Sequence, residues 1–162
     1  MTIRSWFRCP AKRVLIGVLA TVLIAACAPT PPEESGDDVA GKTIVFVHGA
    51  WGGGWQYTKV QPLLEQTGHT VYRPTMTGLG ERVHLGRADV GLSTHIEDIV
   101  KVFEFEDLHE VVLVGHSYGG MVIAGVADRV PERIARLVYF DAFLPEDGES
   151  FESLFGGAID TM

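Results

Sequence analysis

Cysteine is almost missing from this chain. Only Cys9 and Cys27 occur in 162 residues. Loss of the first 26 residues would leave no thiol except that of Cys27, so no disulfide framework can staple the fold, whatever the compartment. No grouping of Cys and His has the spacing of a metal site, and no glycine loop has a phosphate-binding pattern, so no metal and no cofactor is implied. Basic residues are also scarce: 13 Lys+Arg stand against 21 Asp+Glu, a net charge of −8. Without Arg4, Arg8, Lys12 and Arg13 the remainder has 9 Lys+Arg against the same 21 acids, or −12. That balance excludes a basic stripe for nucleic acid and reads as simple solubility. No uninterrupted apolar run reaches the ~20 residues that span a bilayer comfortably, and no internal repeat is visible. Histidine is missing from the whole C-terminal quarter: His48, His69, His84, His95, His109 and His116 all precede Ser117.

The N-terminus is an address. Arg4, Arg8, Lys12 and Arg13 form a positive segment without acids, and Val14 to Ala26 is apolar apart from Gly17 and Thr21. Small residues then close the run, the pattern of a secretory signal. Ile24-Ala25-Ala26-Cys27 resembles a bacterial lipobox, which implies cleavage before Cys27, lipidation of that cysteine and anchoring at the bacterial cell envelope. Ala28 after it favours the outer membrane. Plain secretion and an uncleaved anchor stay open as alternatives. Pro29, Pro31, Pro32, Glu33, Glu34, Asp37 and Asp38 make the next stretch an extended linker that cannot bury enough surface to fold. The expected organisation is a signal over 1–27, a linker over 28–41 and a folded domain over 42–162.

What the domain does contain is Gly115-His116-Ser117-Tyr118-Gly119, set between the apolar run Val111–Val114 and the small-residue segment Gly120–Ala124. Strand, tight turn and helix with a serine at the bend is the G-x-S-x-G nucleophile elbow. Around it the pattern predicts strands at 43–47, 70–73 and 111–114, with a fourth near Ile134 and Leu137–Phe140. Helices are expected over 57–66, behind a capping box Thr94-x-x-Glu97, and over 119–129. Ile96, Ile99, Val100 and Phe103 would form the buried face of the middle helix, leaving Asp98, Glu104 and Glu106 on the solvated side. Short β-branched strands alternating with helices indicate βαβ units and a mostly parallel sheet flanked by helices.

Taken together, Thr43–Trp55 (TIVFVHGAWGGGW), Arg73–Arg82 (RPTMTGLGER), Gly115–Gly120 (GHSYGG) and Tyr139–Ser150 (YFDAFLPEDGES) resemble the α/β-hydrolase family. The branch is that of bacterial esterases related to plant methyl-ester esterases and hydroxynitrile lyases. The resemblance runs over about 42–155 and implies a partial α/β-hydrolase fold that lacks the last strands, as in a C-terminally truncated copy. It also implies serine hydrolysis of small esters, with no cofactor.

Ester hydrolysis needs a nucleophile, a base to take its proton and donors for the developing oxyanion. Ser117 is the candidate nucleophile. The backbone N–H of Tyr118, at the helix start, supplies one donor, and the resemblance selects the N–H of Ala50 as the other. His48 and Trp51 are candidates for the substrate pocket, with Trp55 and the Tyr118 ring as further apolar lining. Gly52-Gly53-Gly54 would let the backbone approach a substrate, or would only make the loop flexible. Neither His48 nor His116 suits the base, because one packs the loop and the other diverges from the serine. The family's triad order is Ser, acid, His, and no histidine follows Ser117. Asp141, at the end of the fourth strand, is a possible alternative acid. A serine without its base is a weak nucleophile, so the 162-residue chain alone is expected to be inactive. A lyase of the hydroxynitrile type and a ligand-binding pseudoenzyme remain as alternatives.

Overall fold

A computed structural model describes residues 41–154 of the chain. The signal segment with Cys27, all but the last residue of the linker, and residues 155–162 lie outside the described residues.

Four strands form one parallel sheet: β1 (Thr43–Val47), β2 (Thr70–Tyr72), β3 (Val111–Ser117) and β4 (Ile134–Ala142), in the order β2-β1-β3-β4. The helices are α1 (Gln61–Glu65), α2 (Leu92–Phe105), α3 (Gly119–Arg129) and a last turn, α4 (Phe151–Leu154). Among the described residues no helix is long and apolar enough to cross a membrane.

β1 and β3 are unbroken apolar runs because both faces of a central parallel strand are covered. Val45, Val47, Val111 and Leu113 are fully buried. Against them pack Ile99, Val100 and Phe103 of α2 and Met121, Val122, Ile123 and Val126 of α3. Each such side chain contributes roughly 1.5–3 kcal/mol through burial. β1 and β3 run in register, Val47 beside Gly115. The chain therefore leaves both strands at the same end of the sheet, where His48–Tyr57 and Ser117 meet.

Three sequence expectations change. The first helix shrinks to one turn and a half, since Val60 and Leu63 stay exposed and find no core. Pro62 still sits in its first turn, and Gly68 (φ 88°) takes the left-handed bend that follows. The capping box is not formed. α2 starts at Leu92, so its N-cap is Gly91, three residues before Thr94, with no side-chain cap, and Glu97 bonds Lys101 and Arg129 instead. β4 is longer than Leu137–Phe140 and carries a bulge: His116 pairs with Phe140 and Ser117 with Ala142, so Asp141 is the extra residue.

Candidate active site

β3 ends in the elbow. Ser117 has φ 52° and Tyr118 then opens α3 in right-handed helical geometry. A non-glycine residue in that left-handed region costs of order 1–3 kcal/mol and persists only where its surroundings hold it. The flanking glycines explain how. A Cβ at Gly119 would strike the Val47 carbonyl, and one at Gly120 would strike the Phe143 carbonyl. The helix can thus start hard against β1 and β4 only without side chains there. From the other side, Phe143 N–H donates to the Ser117 carbonyl at 3.1 Å.

The loop after β1 lies directly over the serine. A Cβ built on Gly49 would be 3.2 Å from Ser117 Cβ and 3.6 Å from its Oγ, which sets Gly49-Ala50 beside the hydroxyl. The loop is braced from below by His48. Met76 N–H donates to His48 Nε2 at 3.0 Å, so the proton sits on Nδ1, which donates to the Gly49 carbonyl at 2.8 Å. Burial pushes the His48 pKa below its ordinary value. With 0 % exposure and both ring nitrogens engaged, His48 offers nothing to a substrate or to Ser117; it holds the loop.

Within the triple glycine, Gly53 and Gly54 have a packing use. A Cβ at Gly54 would overlap the Arg73 carbonyl oxygen, and Gly54 N–H donates to Thr75 Oγ1 at 2.8 Å. These glycines let the loop after β1 press against the segment Arg73–Arg82. That segment answers in kind: Arg73 Nη1 donates to the Gly54 carbonyl, Thr75 Oγ1 to Glu81, and Arg82 Nη1 back to the Thr75 carbonyl. The Glu81 carboxyl is held below the usual range, chiefly by the Thr75 hydroxyl. The two loop motifs are one interlocked unit.

Trp51 and Trp55 are exposed, at 78 % and 56 %. The Tyr118 ring is not pocket lining; it is buried in the core and its hydroxyl meets His95 Nδ1 at 2.9 Å. Asp141 is exposed at the bulge, with φ 44°. The hydrogen-bonded histidines among the described residues are turned to other partners: His69 accepts from Lys42 N–H, His109 meets Asp107, and His95 binds Tyr118 and Thr77. His116 stacks obliquely on Phe140, ring centres 5.7 Å apart. No group of three or more potential metal ligands is gathered among the described residues.

This elbow, on a parallel sheet and under a glycine loop, coincides with a match of residues 44–160 to the model of the alpha/beta hydrolase family. The chain belongs to that family. The chain is 53 % identical over 116 residues to the carbendazim hydrolyzing esterase of Nocardioides sp. (strain SG-4G), covering 72 % of this chain and 48 % of that protein. It is 35 % identical over 104 residues to the alpha-hydroxynitrile lyase of Arabidopsis thaliana, covering 64 % of this chain and 40 % of the relative. Among solved structures, an extracellular alpha/beta-hydrolase from a Paenibacillus species superimposes with a TM-score of 0.63. It is 36 % identical, with 71 % of this chain and 49 % of that one covered. It is described as sharing structural and functional homology with tobacco Salicylic Acid Binding Protein 2. The chain spans about half the length of the curated relatives it matches.

Two residues packed around the candidate site escape a reading by pattern. Asp98 is not a solvated helix residue: its carboxylate accepts from Thr77 N–H at 2.6 Å and Thr77 Oγ1 at 2.9 Å. His95, on the same side of α2, accepts from Tyr118 and donates from Nε2 to the Thr77 carbonyl at 2.9 Å. The only sequence signal was their i, i+3 spacing, which places both on one side of the helix.

Proposed function

We propose that the chain carries the nucleophile and oxyanion half of a serine carboxylesterase acting on small esters. The observation that carries this reading is the strained Ser117 at the β3–α3 bend with Gly49-Ala50 packed over it. Ser117 Oγ attacks the ester carbonyl. The main-chain N–H groups of Ala50 and Tyr118 stabilise the negative charge that develops on the carbonyl oxygen, aided by the positive end of α3. The proton of Ser117 must go to a base that the described residues do not supply. The Nocardioides esterase supports ester hydrolysis as the reaction. Asp141 is a proposed alternative acid, supported by the bulge that places it next to Ser117 in the β3–β4 ladder.

The test is ester turnover by a protein carrying the complete hydrolase domain. Ser117→Ala is expected to lower kcat by at least ~10³-fold, and a fluorophosphonate probe is expected to label Ser117. Turnover that survives Ser117→Ala rejects the reading. The Arabidopsis lyase among the relatives supports a second reading, cleavage of a cyanohydrin at the same serine; cyanide release without ester turnover would favour it. We also propose export, with lipid on Cys27, a reading to which the extracellular Paenibacillus relative lends support. Cys27→Ser is expected to move the protein from the membrane fraction to the soluble one, and an unchanged distribution would reject the anchor.

A further inference from the structure

The two proposed oxyanion donors lie on separate loops, and nothing in a strand–turn–helix pattern fixes the gap between them. In this structure a continuous path of buried and half-buried hydrogen bonds does. From the elbow, the Tyr118 hydroxyl donates to His95 Nδ1 at 2.9 Å. Burial holds that phenol protonated, its pKa pushed up to about 12. His95 Nε2 carries the ring proton and donates to the Thr77 carbonyl at 2.9 Å. Thr77 is itself pinned to α2 through Asp98. One residue back, Met76 N–H donates to His48 Nε2, and His48 Nδ1 donates to Gly49, the neighbour of Ala50. The circuit therefore runs from Tyr118 through His95, Thr77, Met76 and His48 to Gly49.

We propose that His95 is a positioning residue for this site: as a neutral imidazole it braces the Ser117–Tyr118 bend against the Thr75–Arg82 loop and so fixes the spacing of the oxyanion donors. Only a side chain that accepts at one end and donates at the other, across the width of a ring, bridges a hydroxyl and a carbonyl in this way. His95 is buried at 6 % exposure and packs edge-on to Tyr118, ring centres 5.7 Å apart at 84°, so the ring cannot swing to other partners without opening the core. Its neighbour in the circuit, His48, performs the same service for the opposite loop. The inference rests on the reading of Ser117 as nucleophile, and it assigns His95 no contact with the substrate.

The experiment uses the protein carrying the complete hydrolase domain and p-nitrophenyl acetate as the probe. His95→Phe and Tyr118→Phe are each expected to lower kcat by roughly 10- to 100-fold with KM held within about twofold, the loss typical of a small misplacement at a site. The double variant is expected to be no worse than either single one, because both cut the same link. His95→Asn keeps an acceptor near the Tyr118 hydroxyl but does not reach the Thr77 carbonyl, so it is expected to lose kcat as His95→Phe does. Nitrogen-15 spectra of the imidazoles are expected to show His95 as the neutral form protonated at Nε2. Unchanged kcat in Tyr118→Phe, which removes a single hydroxyl and is the variant least able to unfold the protein, overturns the proposal. So do additive losses in the double variant, or a His95 protonated at Nδ1. The spectra need no turnover, so they judge the brace even if Ser117→Ala shows that the serine is not the nucleophile.

Discussion

Ser117 and Asp141 are two non-glycine residues with positive φ, at 52° and 44°, on either side of one bulge in the β3–β4 ladder. The strain has a direct test. Glycine takes this conformation without the Cβ penalty, whereas alanine keeps it. In the protein carrying the complete domain, Ser117→Gly is therefore expected to be about 1 kcal/mol more stable than Ser117→Ala in chemical denaturation, both being inactive. Equal midpoints would mean that the bend stores no strain. His48 makes a second residue-scale prediction. Its folded pKa lies below the unfolded value, because burial and the N–H donated by Met76 favour the neutral ring. The unfolded chain then binds the extra proton first. Stability is whole above the ordinary imidazole value of ~6.5 and falls as pH drops below it toward the depressed folded pKa. Melting temperatures of the protein carrying the complete domain should decline between pH 7.5 and 5.5, and His48→Gln should flatten the decline even though it lowers the starting value. Ser117 was legible from five letters of sequence because an elbow depends on local glycines. His95 and Asp98 were not, because their partners, Tyr118 and Thr77, lie 23 and 21 residues away.

At the scale of elements, the strands and α3 follow from local pattern. β-branched runs with no polar face can only be central strands, and the helix after Ser117 ends where Pro131 removes a donor. The boundaries of α2 did not follow. Thr94-x-x-Glu97 satisfies the capping pattern, yet His95 must be buried under Tyr118 and Asp98 must reach Thr77. Those contacts require helix already at Leu92 and leave Gly91 at the cap. Tertiary bonds outvote a local motif worth about 1 kcal/mol. The cap is consequently unfilled, with extended φ of −149° and open space around Gly91 where a side chain would sit. Gly91→Asp supplies an acceptor for the first-turn N–H groups and a negative charge at the positive helix end. A gain of ~0.5 kcal/mol is expected in the protein carrying the complete domain, read as a raised denaturation midpoint with an unchanged slope. A loss would show that the Val90–Gly91 turn needs glycine for some other reason.

For the molecule as a whole, the decisive feature is β4. It is the last strand of the sheet, it is nine residues long, and among the described residues nothing pairs with its outer edge. Phe140 and Leu144 at its end are 62 % and 66 % exposed. A long apolar edge of this kind is a template for another strand, and net charge of −8 opposes association only weakly at physiological salt. The 162-residue chain produced alone is therefore expected to associate or to bind 8-anilinonaphthalene-1-sulfonate, with no sharp melting transition. A strand-forming peptide that pairs with the outer edge of β4, supplied in trans, is expected to suppress the dye signal. A strand that caps β4 removes the edge and covers the same apolar end, so solubility and cooperative melting should return together. A monomer that melts sharply without any such addition would mean that residues beyond the described ones already cover β4, and the sheet would then need no partner to be stable.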